Sequence, residues 1–186
     1  RWTLFLGIMI VLAGSLFADV TISGVKVTNL QSKSATFTWF TNEPTETNMV
    51  YYRMLGNTEW ITVNETSNDG NAVNVHYIKL DYDLTSNITY EYKVESNAIQ
   101  SSTGVFTTIS AVNPMEFPKI LTAKAQNEDE SGAIYAVVFA KLKKQGQENF
   151  EDYELSVRVA STISGGAPNA TGSYIFDISH FIKYPG

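Results

Sequence analysis

The sequence predicts an all-β protein of two tandem antiparallel β-sandwiches behind an N-terminal hydrophobic helix. Three observations predict this. Apolar and polar residues alternate at period two through most of the chain after residue 18, and no long helical period competes with that pattern. Turn-forming residues interrupt the alternation at short intervals. A segment with two prolines, residues 110–118 (SAVNPMEFP), divides the pattern into two blocks, residues 19–109 and 119–186.

The first block carries seven strand candidates, at 20–28, 34–41, 47–53, 58–63, 75–82, 89–96 and 103–109. Turns are expected at Asn42-Glu43-Pro44, Leu55-Gly56-Asn57, Asn68-Asp69-Gly70 and Ser86-Asn87. Seven short strands at this spacing are enough to close a two-sheet sandwich. The second block carries candidates at 119–127, 133–143, 153–160 and 173–183. The brevity of the connection between the blocks implies a restricted angle between them.

Residues 1–18, RWTLFLGIMIVLAGSLFA, have Arg1 as their only charge. A basic end, an apolar run and small residues near its close predict a secretory signal, cut after Ala18 or Ser15. The run is short for a bilayer span, which needs about 20 residues. Uncleaved, it is a retained hydrophobic helix, and residues 4–18 are the part that could enter a membrane. The predicted location is therefore secreted or cell-surface.

Composition narrows the function classes. Hydrophobic residues make up 44% of the 186 and charged residues 17%, so a packed core is expected and long disorder is not. The net charge of -6 argues against nucleic acid, which needs a clustered basic surface. Lys141, Lys143 and Lys144 read as a solvated strand end. There is no cysteine, which removes disulfides, thiolate metal sites and cysteine nucleophiles.

The first block resembles fibronectin type III-like modules, and the purple acid phosphatase N-terminal-like modules of microbial secreted proteins. The residues that carry the resemblance are the phrase VTNLQSKSATFTWFTNEPTETNMVYYR, Trp39 in the second strand, and LTSNITY, where Leu84 precedes Tyr90 by six positions. The resemblance implies a core Trp39 and a tyrosine corner, with Leu84 packed inside and the Tyr90 hydroxyl tied to backbone near the turn. Ser86-Asn87 replaces the Pro-Gly common at that corner.

The second block, through GAIYAVVFAKLKKQGQENFEDYELSVRVA and GSYIFDIS, is similar to transthyretin-like or carboxypeptidase-regulatory-like sandwiches. Those have six or seven strands, so four candidates describe an incomplete sandwich. An unfinished sheet leaves backbone edges that require covering. It is completed by further sequence, by its own closure, or by a strand from a neighbouring copy. For that last case the donor is residues 1–18 or Val20–Thr28, and the acceptor lies near 133–143 and 173–183.

Catalytic chemistry is not expected. His76 and His180 fall in different blocks, and His76 sits in an alternating strand, which predicts a strand-surface or partly buried role. No nucleophile elbow, phosphate-binding loop or dinucleotide fingerprint occurs, and Ser164-Gly165-Gly166 reads as a plain loop. Glu128-Asp129-Glu130 and Glu151-Asp152 offer oxygen ligands of the kind calcium takes, although adjacent acids on turns are usually solvated. No cofactor is expected otherwise. Sequons at Asn64, Asn87 and Asn169 are glycosylation candidates. Trp60, Tyr51, Tyr52, Tyr77, Tyr82 and Tyr92 could stack on carbohydrate or pack on a partner, and cross-strand packing explains most of them without a ligand.

The expected function is a non-catalytic extracellular structural protein that assembles with copies of itself or other surface proteins, as filament or surface layer. The competing expectation is an accessory binding or spacer module of a larger secreted hydrolase or adhesin.

Overall fold

The computed structural model describes residues 19–110, 120–130, 132–133, 135–141, 154–159 and 173–177. The expectations for residues 1–18, His180, Glu151, Asp152, Asn169 and the 164–166 loop lie outside the described residues.

The architecture is all-β and antiparallel. One sheet joins β1 (Ile22–Thr28), β2 (Ala35–Thr45) and β5 (Val73–Leu80) in the order β1-β2-β5. The facing sheet holds β4 (Ile61–Asn64), β3 (Asn48–Met54), β6 (Thr89–Ser96) and β7 (Ile99–Gln100), with β8 (Gly104–Thr107) also paired to β6. Alternation decides which side chains meet. Ala35, Phe37 and Trp39 from β2 and Ile78 and Leu80 from β5 face Val50, Tyr52, Tyr90, Val94 and Phe106 across one apolar core. Trp39 is fully buried, and its Nε1–H donates to Ser96 Oγ at 2.9 Å, which joins the two sheets. Leu84 is buried, and the Tyr90 hydroxyl accepts the Thr85 N–H at 2.8 Å.

Two details depart from the sequence reading. β2 continues through Asn42-Glu43-Pro44 instead of turning there. Its pairing with β5 jumps from Phe40↔Val75 to Thr45↔Val73, and in such a bulge proline's missing N–H leaves no ladder bond unmade. β7 is an additional short strand. It follows a tight turn in which Asn97 (φ 46°) and Ala98 (φ 67°) both have positive φ, a conformation in which sequence leads one to expect glycine. At β1, Gly24 has φ 60° and lies under the Phe40 ring, at the register shift between Ser23 and Lys26.

In the second block β9 (Ile120–Lys124) pairs β12 (Ser173–Asp177), and β10 (Val137–Lys141) pairs β11 (Glu154–Arg158). The β10–β11 ribbon contacts both β1 and β5. This explains why β2 is buried on both faces: Thr36 and Thr38 point away from the core yet are fully buried. Among the described residues no helix is long and apolar enough to cross a membrane.

Candidate functional site

The densest arrangement of polar groups lies where β10–β11 meets the first sandwich. Glu65 sits one residue beyond β4 and His76 within β5, which brings the two side chains together behind the sheet. Glu65 Oε2 is 2.9 Å from His76 Nδ1, with the side chains 1% and 0% exposed. Glu65 Oε1 accepts from the Tyr77 backbone N–H at 2.9 Å and from Ser67 Oγ at 3.2 Å. Acceptor-only chemistry of this kind suits an ionised carboxylate.

The far side of the imidazole is also satisfied. Thr41 Oγ1 lies 3.0 Å and Thr45 Oγ1 3.2 Å from His76 Nε2. Thr45 donates its proton to Asn48 Oδ1 at 2.6 Å, so Thr41 is the hydroxyl free to donate to Nε2 when the imidazole is neutral. That places the ring proton on Nδ1, facing Glu65. The ring also stacks on Trp39, with centroids 5.0 Å apart.

The second block supplies the cation. Arg158 Nη1 donates to the Val75 carbonyl and lies 3.7 Å from Glu65 Oε1, with the side chain 7% exposed. Burial pulls the guanidinium below its ordinary value, and Glu65 works against that shift. Nε and Nη2 are buried without a hydrogen-bond partner. Burial likewise pushes the Tyr77 phenol up, and its hydrogen bond to Thr36 opposes this.

Further contacts flank the cluster. Asn29, at φ 48° just past β1, pairs with Ser156 as one peptide group pairs with another. Its Nδ2–H donates to the Ser156 carbonyl at 2.7 Å, and its Oδ1 accepts the Ser156 N–H at 2.9 Å. Thr28 and Ser156 hydroxyls meet at 2.5 Å, and Lys26 reaches Glu154 at 3.2 Å. Across the site, the Tyr135 hydroxyl donates to Asp69 Oδ2 at 3.3 Å and accepts from Asn71 Nδ2 at 2.9 Å.

Hydroxyl, imidazole and carboxylate stand here in the order used for nucleophilic catalysis. Thr41 is 6% exposed and Thr45 and His76 are fully buried, so no substrate atom reaches them. The geometry suits a structural joint instead. The histidine expected at a strand surface or partly buried is wholly interior, and Glu65 and Arg158 were not singled out by sequence. The signal for Arg158 is its place in an apolar strand between Val157 and Val159.

The other candidate residues are scattered. Glu128, Asp129 and Glu130 form an exposed turn, where the Glu130 carbonyl accepts Gln126 Nε2 at 2.9 Å. Among the described residues no group of three or more His, Cys, Asp or Glu is placed to hold a metal. Asn64 is exposed at the end of β4, and Asn87 is exposed in the turn before Tyr90. Tyr52 and Tyr92 pack in or against the core, and Tyr77 lies in the joint. Trp60 is flanked by Arg53 at 4.2 Å and Lys93 at 5.1 Å, and Lys93 also lies 5.0 Å from the Tyr51 ring. Of the six aromatics, Tyr82 alone is largely exposed, at 86%.

No curated protein matches the chain. A solved structure described as "Myokine structure" is 17% identical, with a TM-score of 0.40, over 47% of this chain and 95% of that one. The sensor domain of the anti-sigma factor RsgI4 in Pseudobacteroides cellulosolvens is 20% identical, with a TM-score of 0.36, over 53% of this chain and 98% of that one. The chicken CNTN1 FN1-FN3 domains are 14% identical, with a TM-score of 0.36, over 84% of this chain and 54% of that one. Residues 22–108, which hold β1 to β8, match the family described as purple acid phosphatase, N-terminal domain, a fibronectin type III-like fold.

Proposed function

We propose that this chain is a non-catalytic structural protein of the cell exterior that assembles with copies of itself. The observation that carries the reading is the joint. A buried carboxylate in the first block is matched by a buried guanidinium from the second, and Asn29 pairs with the backbone of β11 beside it. Such contacts fix an angle between two sandwich-like blocks, as a load-transmitting or spacing element requires. They expose no reactive group. The apolar segment 1–18 supports export, and the retained-helix alternative supplies an element for contact with a neighbouring copy.

A second reading is favoured by the family match, because the matched family is by its description the N-terminal domain of an enzyme. On that reading the chain is a spacer or binding module beside a catalytic domain. Negative-stain electron microscopy of the native extracellular material separates the two. Ordered filaments or sheets of this chain support the structural subunit. Isolated particles of monomer size refute it and leave the accessory module.

A further inference from the structure

Among the described residues the ribbon β10–β11 is a two-stranded sheet. Its strands pair from Val137↔Arg158 to Lys141↔Glu154, and neither is laddered to β1, β2 or β5. Among the described residues a single main-chain hydrogen bond crosses the joint, from Asn29 N–H to the Glu154 carbonyl at 3.1 Å. Everything else that crosses it involves side chains. The joint is also largely polar on both sides: Thr28, Thr36 and Tyr77 on the sheet, Glu154, Ser156 and Arg158 on the ribbon. Surfaces of this composition tolerate water when they separate.

The sheet side nevertheless does not favour standing open. Glu65 and His76 are buried together, and Arg158 is the guanidinium that approaches the carboxylate. An arriving ribbon that lacks this cation leaves the carboxylate short of a counter-charge in a dry site. The surface therefore selects one occupant, a ribbon with an arginine at this register, and every copy of the chain carries one. Ten residue steps connect Ser110 to Ile120, a contour of at most ~33–36 Å.

We propose that this joint is exchangeable between copies: in the assembled protein the β10–β11 ribbon of one copy seats on the β1-β2-β5 sheet of the next. Each copy's Arg158 then completes the next copy's Glu65–His76 pair. The inference rests on the assembly reading above and names its contact surface. Exchange of this kind is head-to-tail, and repeats into an open chain or closes into a ring.

The test uses Lys26 and Glu154, whose charged groups lie 3.2 Å apart across the joint. Isotopically heavy and light protein are mixed in denaturant, allowed to refold and assemble, and treated with a zero-length carbodiimide cross-linker. Lys26–Glu154 peptides are then weighed by mass spectrometry. Exchange predicts heavy–light peptides as abundant as the two pure forms together. Polymers that contain pure forms only overturn the exchange and leave the assembly reading standing. Pure forms without polymers overturn both, and heavy–light peptides in small closed oligomers support exchange while refuting the filament. A second variant, Thr28→Cys with Ser156→Cys, uses hydroxyls 2.5 Å apart in a chain with no other cysteine. A disulfide ladder on a non-reducing gel supports exchange, and cross-linked monomer alone refutes it.

Discussion

Replacing Glu65 by Gln removes one charge from the joint and almost no volume. The amide oxygen can still accept the Tyr77 N–H and the Ser67 hydroxyl. The amide nitrogen then faces His76 Nδ1, and moving the ring proton to Nε2 restores that bond, because Thr45 Oγ1 has a free lone pair. What cannot be restored is the attraction to Arg158. Unit charges 3.7 Å apart interact by about 4.5 kcal/mol at an effective dielectric constant of about 20. The guanidinium is 7% exposed and has two nitrogens, Nε and Nη2, without a hydrogen-bond partner, so losing its counter-charge leaves it poorly compensated. Glu65→Gln is expected to destabilise by about 3–5 kcal/mol, the range for breaking a buried pair from one side. Arg158→Met in the same background is expected to recover most of that loss, since an apolar replacement of both charges is often neutral. Urea unfolding followed by tryptophan fluorescence reads all four corners of the cycle, with Trp39 beside His76 as reporter. A Glu65→Gln loss below about 1 kcal/mol, or losses that simply add in the double variant, would refute the coupling across the joint.

Three other outcomes are expected. Tyr90→Phe leaves the Thr85 N–H without its acceptor beside a buried ring, at a cost of about 1–3 kcal/mol, visible as a lower thermal midpoint. Gly104→Ala puts a methyl 2.6 Å from the Tyr92 ring, which must then shift from its place against Phe37 and Phe106; a loss of about 1–3 kcal/mol and a changed near-ultraviolet dichroism are expected. Alkali should weaken the fold through Tyr77, whose phenol burial raises above 10.0. The unfolded phenol ionises first, so stability is full below that value and falls as pH rises toward the folded one. Urea midpoints compared with phenolate absorbance across this range check the sign.

The first sandwich was largely legible because its core side chains alternate with polar ones at period two, as in Phe37 and Trp39 against Thr36 and Thr38. That local pattern located the strands and most of the turns, though not the continuation of β2 through Asn42-Glu43-Pro44, and the corner at Tyr90 came from the family resemblance. It did not give the β7 hairpin, because Ala98 stands where a positive φ predicts glycine. The polar face was not legible in the same way. Threonines alternating with a core give no sign of a second covering layer, and it is the distant β10–β11 ribbon that makes Thr36 and Thr38 interior. His76 shows the same limit. Its strand position was readable, but its partner Glu65 lies eleven residues earlier, just past the end of β4, and Arg158 lies 82 residues later. Nothing local encodes contacts at that separation.

If the Arg158–Glu65 joint holds an assembling subunit together, its loss must show in electron micrographs of the wild-type protein and Glu65→Gln prepared side by side at matched concentration. Ordered polymers are expected for the wild type and isolated particles for the variant, with native-like tryptophan fluorescence confirming that the variant is folded. Polymers of equal length and order from both proteins would contradict that expectation, as would isolated particles from both.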